Sequence, residues 1–263
     1  MSNSGRPCVT KVMCLYTRLY PFHHEQQEKS ICEVKIPHVR QRFNWDCGVS
    51  CVLMVIPDEE RKYFFNNFYQ VCKEEGFDKS TWSVDLCYLL KRFGVKHKYC
   101  TITFGVHPGY RGEHFYDKIL HKDEDRVNKR FLDASENNIT IRRTSLSNMD
   151  LIKHLTTEGP IILLTNASLL WCDICKNNKI TCELRNCFPW PVSYNGHYIV
   201  LVGYNSGRKR FLYRNPTYRE RLCAMSYCHL EEARKSYGTD EDVILIFSIN
   251  SSADTKSSNS EAQ

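Results

Sequence analysis

The sequence predicts an α+β fold, with a helical first half and an antiparallel sheet in the second. Three observations predict it. Helical patterns dominate up to residue 157, apolar runs shorten to strand length from Ile161 onward, and Gly159-Pro160 separates the two regions. The 263 residues, 42% apolar and 25% charged, suffice for one large domain with its own core. That domain is expected over 31–250, between an irregular N-terminal arm at 1–30 and a small, polar, disordered tail at 251–263.

The first element justified by pattern begins at Cys47. The polar, aromatic run His38 to Trp45 changes at Asp46 into the apolar stretch that ends at Pro57, which predicts a buried helix with Asp46 and Cys47 at its N-terminal end. Helices follow at 58–75 and at 83–93, where Leu86, Leu89, Leu90 and Phe93 share a face behind a Ser83 cap and Gly94 stops the helix. Residues 95–104 read as a strand, 113–135 as a charged amphipathic helix, 139–144 as a strand and 147–157 as a short helix. The second half supplies strands at 161–165, 197–204, 211–214 and 243–249, with a long four-cysteine loop between the first two.

Composition excludes several classes. The charge of +6 comes from 36 basic and 30 acidic residues that are scattered, so no nucleic-acid surface is expected. No run of 18 apolar residues occurs, which argues against a membrane span, and no secretory leader is read at the N-terminus. Fourteen cysteines in a long leaderless chain are expected to be reduced thiols, placing the protein in the cytoplasm. Trp45, Trp82, Trp171 and Trp190 are expected in the core, as is Cys51.

Four residues carry candidate chemistry. A thiol at a helix N-terminus is electrostatically favoured as thiolate, and Cys47 is expected there. Gly48 leaves room for a substrate backbone, and Gln41 is spaced to offer its amide to an oxyanion. His197 opens an apolar strand behind Gly196, and Asn215, before Pro216, ends the next one. An Asn carbonyl on one imidazole nitrogen would fix the tautomer and leave the other nitrogen for the thiol.

Asp46-Cys47-Gly48, Gly196-His197-Tyr198 and Asn215-Pro216, with Gln41 ahead, resemble the papain-like peptidase domains of bacterial transporters that cut double-glycine leaders. The resemblance implies a papain-like fold and a Cys47, His197, Asn215 triad with Gln41. A longer match, through Trp45-Asp46-Cys47-Gly48, Trp82-Ser83-Val84-Asp85-Leu86, Gly196-His197-Tyr198-Ile199-Val200-Leu201 and Glu231 to Asp242, is similar to the eukaryotic guanylyl cyclase domain-containing family. That family name implies conversion of GTP to cyclic GMP, a chemistry that asks for metal-binding carboxylates and a phosphate loop. No glycine-rich phosphate loop is present, and Asp240, Glu241 and Asp242 form the tight acidic cluster, which reads as a solvated turn before a strand.

The expected function is a papain-type thiol hydrolase or acyltransferase acting on a peptide, protein or small amide. Guanylyl cyclase activity and a non-catalytic interaction module are the alternatives. The thiol chemistry requires no cofactor. Cys172, Cys175, Cys182 and Cys187 begin with the C-x2-C spacing of a structural zinc site, against free or redox-active thiols.

Overall fold

The computed structural model describes residues 31–77, 79–112, 114–117, 119–175 and 193–247. The expected arm at 1–30 and tail at 251–263 lie outside these residues, as do Cys182, Cys187 and Trp190. In the helical half, β1 (Ile31–Glu33) precedes α1 (Cys47–Val55), α2 (Asp58–Asn66), α3 (Phe68–Glu74) and α4 (Ser83–Arg92). Then come β2 (His97–Thr101), α5 (His114–Asp117), α6 (Leu120–Asp133), β3 (Ile141–Arg143) and α7 (Asn148–Thr157). The second half supplies β4 (Ile161–Asn166), β5 (Gly196–Asn205), β6 (Arg210–Arg214), β7 (Cys223–Ser226), α8 (Tyr227–Lys235) and β8 (Val243–Ile246).

The sheet runs in the order β3-β2-β8-β4-β5-β6-β7, with β1 paired beside β5. Two features depart from a sheet confined to the second half. Strands β2 and β3 of the first half extend it, as a parallel pair, and β8 joins the halves by bonding β2 on one side and β4 on the other. All four residues of β8 are buried, the profile of an interior strand. Pattern reading also gave a single helix over 58–75, whereas the chain breaks at Asn67, which leaves helical geometry between α2 and α3.

Alternation along β5 decides which layer each residue serves. Tyr198, Val200 and Val202 pack into one core with α1 and α4, while Ile199 and Leu201 pack into the other with α7 and α8. Helix α1 is buried from Cys47 through Met54, so it lies inside the first core instead of covering it with one face. Helix α1, headed by Cys47, thus packs on the face of β5, the strand that begins at Gly196-His197. Beyond the bulge at Leu201/Gly203, β5 comes so close to β1 that a side chain at Gly203 would overlap the Cys32 carbonyl oxygen.

Between α4 and α6 a buried carboxylate is added to the apolar packing around Val127. Asp85, fully buried, pairs with Arg126 and, at 2.8 Å, with Arg130. It also accepts the Trp82 backbone N–H at 2.9 Å, which fixes the start of α4. The expected Ser83 cap is therefore not used: Ser83 is the first helical residue, and its hydroxyl bonds the Tyr198 hydroxyl at 2.9 Å. Asp85→Ala should strand two arginines in the interior and destabilise the fold by about 3–5 kcal/mol in denaturant titrations.

Candidate functional site

The four predicted residues fall into two neighbouring groups. His197, buried at the start of β5, holds its Nε2 2.9 Å from Asn215 Oδ1. That oxygen also accepts the Thr217 N–H at 3.0 Å, so Nε2 carries the proton and Nδ1 is the acceptor nitrogen. Gln41 joins through Thr217, whose hydroxyl donates to Gln41 Oε1 at 3.0 Å, and through its own N–H on the Pro216 carbonyl at 2.9 Å. The Gln41 amide nitrogen donates to the Phe43 carbonyl at 2.8 Å. Burial lowers the His197 pKa below the ordinary imidazole value, against the Asn215 hydrogen bond that raises it.

Cys47 heads α1, as expected, in a loop whose shape comes from Asp46, which accepts the backbone N–H groups of Arg42 and Phe43. Burial pushes the thiol up to about 11, and the Tyr198 and Gly48 backbone N–H groups only partly offset this. Desolvation outweighs the helix terminus, so the resting thiol is neutral instead of the expected thiolate. Among the described residues no hydrogen bond joins Cys47 to His197. Gly48, expected to admit substrate, serves packing: a side chain there would press to 2.8 Å from Leu86 and 2.9 Å from Tyr198. Cys51 lies in the core, fully buried.

Cys47 opens onto a cavity of about 1010 Å³ that Tyr198, Ser83, Asp240, Asp242 and the half-buried Trp45 and Trp82 also line. These two tryptophans are cavity walls packed against the first core, whereas Trp171 is buried in the second. Tyr116 and Tyr194 stack at 5.5 Å on another wall, and Lys79 and Lys235 supply positive charge. Gln41, His197 and Asn215 are not among the lining residues.

The acidic cluster departs from the solvated turn expected of it. Asp242 is buried, and its Oδ1 has no hydrogen-bond partner. Burial first, then the charge of Asp240, raises its pKa to about 7. Glu241 accepts the Ser145 hydroxyl at 2.5 Å. Asp240 and Glu241 both have left-handed backbone, at φ 48° and 52°, which turns the chain so that the carboxylates at 240 and 242 both line the cavity. Their burial was hidden in the sequence because it comes from packing across β2, α4 and β5. Of the four loop cysteines, Cys172 and Cys175 are described, and they lie beside Cys223.

The Guanylylate cyclase family matches residues 36–246. "Guanylyl cyclase 1" of Arabidopsis thaliana is 35% identical over 223 residues, covering 82% of this chain and 77% of that protein. Among solved structures, one described as a C39-like peptidase from Bacillus anthracis is 21% identical over 40% of this chain and 49% of its own length, at a TM-score of 0.28, and nothing below rests on it.

An aspartate with a raised folded pKa binds more protons in the folded than in the unfolded chain between its two pKa values. Asp242 therefore draws stability away as pH rises from about 4 to about 7. Asp242→Asn should raise the melting temperature at pH 8.5 and change it little at pH 4, by differential scanning fluorimetry.

Proposed function

The chain belongs to the guanylylate cyclase family, and on that premise we propose that it is a thiol-dependent acyl-transfer enzyme, a hydrolase or acyltransferase with Cys47 as nucleophile. The observation that carries this reading is the 2.9 Å bond from His197 Nε2 to Asn215 Oδ1. It holds the imidazole as the tautomer whose Nδ1 accepts a proton, one residue from Tyr198, which lines the cavity together with Cys47.

A thiol with a pKa of about 11 is ionised to roughly one part in 10⁴ at pH 7, so attack needs a base. His197 Nδ1 takes the proton as the Cys47 sulfur–carbon bond forms on a peptide or small amide carbonyl. The proton then passes to the leaving amine as the carbon–nitrogen bond breaks, and water or a second acceptor releases the acyl group. The backbone N–H groups at the start of α1 receive the oxyanion, with the Gln41 amide joining them only after leaving the Phe43 carbonyl.

A second reading rests on Asp242. The family and its Arabidopsis relative are named for guanylyl cyclase, and a carboxylate with one oxygen unpartnered, in a cavity with aromatic walls, suits the N–H edge of a guanine. Lys79 would then meet phosphate.

The two readings predict opposite mutants. On 4-nitrophenyl acetate, the acetyl adduct mapped to Cys47 by mass spectrometry should vanish in Cys47→Ala and form about 10²–10⁴-fold more slowly in His197→Ala. A folded protein that never acylates at Cys47 excludes the thiol enzyme. Cyclic GMP formed from GTP and Mg²⁺, kept in Cys47→Ala and lost in Asp242→Asn, would establish the cyclase, and absence of GTP binding by calorimetry would remove it.

A further inference from the structure

On the opposite side of β5 from α1, three thiols meet that the acyl-transfer reading does not use. Cys172 and Cys175 follow β4, and Cys223 opens β7. Their sulfur atoms all lie within 4.8 Å of one another, and all three are free thiols. Cys172 and Cys223 are buried and Cys175 is half-buried.

We propose that Cys172, Cys175 and Cys223 are three thiolate ligands of a zinc ion that clips the segment after β4 to the β6–β7 hairpin. Zinc bound tetrahedrally at about 2.3 Å by sulfur sets its ligands about 3.8 Å apart, so the cluster is within about an ångström of the required spacing. The Cys175 backbone N–H donates to Cys172 Sγ at 3.4 Å, and such a bond stabilises a bound thiolate and orients it. The scaffold is rigid. The Asp173 N–H bonds the Ala224 carbonyl at 2.9 Å, its carboxylate pairs with Arg210 at 3.0 Å, and the Tyr213 hydroxyl donates to the Trp171 carbonyl at 2.8 Å.

Charge supports the assignment. Three thiolates around Zn²⁺ leave one net negative charge, and Arg221 stands close enough to favour the Cys223 thiolate. Soft sulfur donors select zinc over magnesium or calcium. No fourth His, Cys, Asp or Glu joins the cluster among the described residues.

The full-length chain, purified under reducing conditions and exhaustively dialysed, should retain one equivalent of zinc by mass spectrometry of the metal. X-ray absorption of that wild-type protein should give three sulfur neighbours at about 2.3 Å, a result independent of whether any variant folds. Cys223→Ser should lower bound zinc roughly tenfold or more, while Cys182→Ser/Cys187→Ser keeps it. Fewer than three sulfurs, loss of zinc in the Cys182/Cys187 variant with retention in Cys223→Ser, or a metal-free protein with a Cys172–Cys175 disulfide would each overturn the assignment.

Discussion

The buried Asp85 carboxylate governs where the cavity can be. It fixes the first turn of α4 through the Trp82 N–H and draws Arg126 and Arg130 of α6 inward. Arg126 in turn pairs at 2.8 Å with Asp123, which accepts the Trp82 indole N–H at 3.0 Å and the Ser80 hydroxyl. One wall of the cavity is thus tied by charge to the helix behind it. A buried charge array is weak evidence of stability, since apolar packing of equal volume can serve as well. Its directionality is another matter: it specifies where Trp82 stands, which apolar contacts alone would leave looser.

Across that cavity, two chemistries share one space. Cys47 lines it beside Tyr198, and the carboxylates of Asp240 and Asp242 line it from the turn before β8. The thiol is kept neutral by burial, and burial likewise lowers the His197 pKa. In the proposed acyl-transfer reading, two uncharged groups would avoid the desolvation penalty of a buried ion pair and leave proton transfer to the moment of attack. The price of such an arrangement is a thiol that is a weak nucleophile at rest, and a neutral buried thiol also reacts slowly with oxidants.

Much of the fold was legible because local patterns agreed with packing. Helix α4 and strands β4 and β5 were read to within two residues at each end, since their apolar spacing matches the faces they bury. The short strand β1 was not, because three residues, two of them exposed, are too few to show a period, and they are held by the close approach at Gly203. Gln41, His197 and Asn215 were singled out by their order and by the resemblance to leader peptidases; His197 and Asn215 meet directly, and Gln41 joins them through Thr217, which no spacing rule singled out. Burial was the least legible quantity. It reversed the expected charge state of Cys47 and turned Asp242 from a surface residue into a cavity residue. Cys223 was missed as a companion of Cys172 because sheet topology, not sequence proximity, brings it near.

The left-handed pair at Asp240 and Glu241 sets backbone ease against the placing of a carboxylate in the cavity wall. Each non-glycine residue there gives up about 1–2 kcal/mol relative to a right-handed conformation. Hydrogen bonds to the Asp240 carbonyl, from the Ile102 N–H at 3.0 Å and the Thr101 hydroxyl at 3.3 Å, hold the turn in place. A glycine at 240 would relax the backbone and remove the carboxylate in the same stroke. Selection for a more stable protein would therefore act against a carboxylate that lines the cavity, and directed evolution for thermal tolerance alone would be expected to erase it.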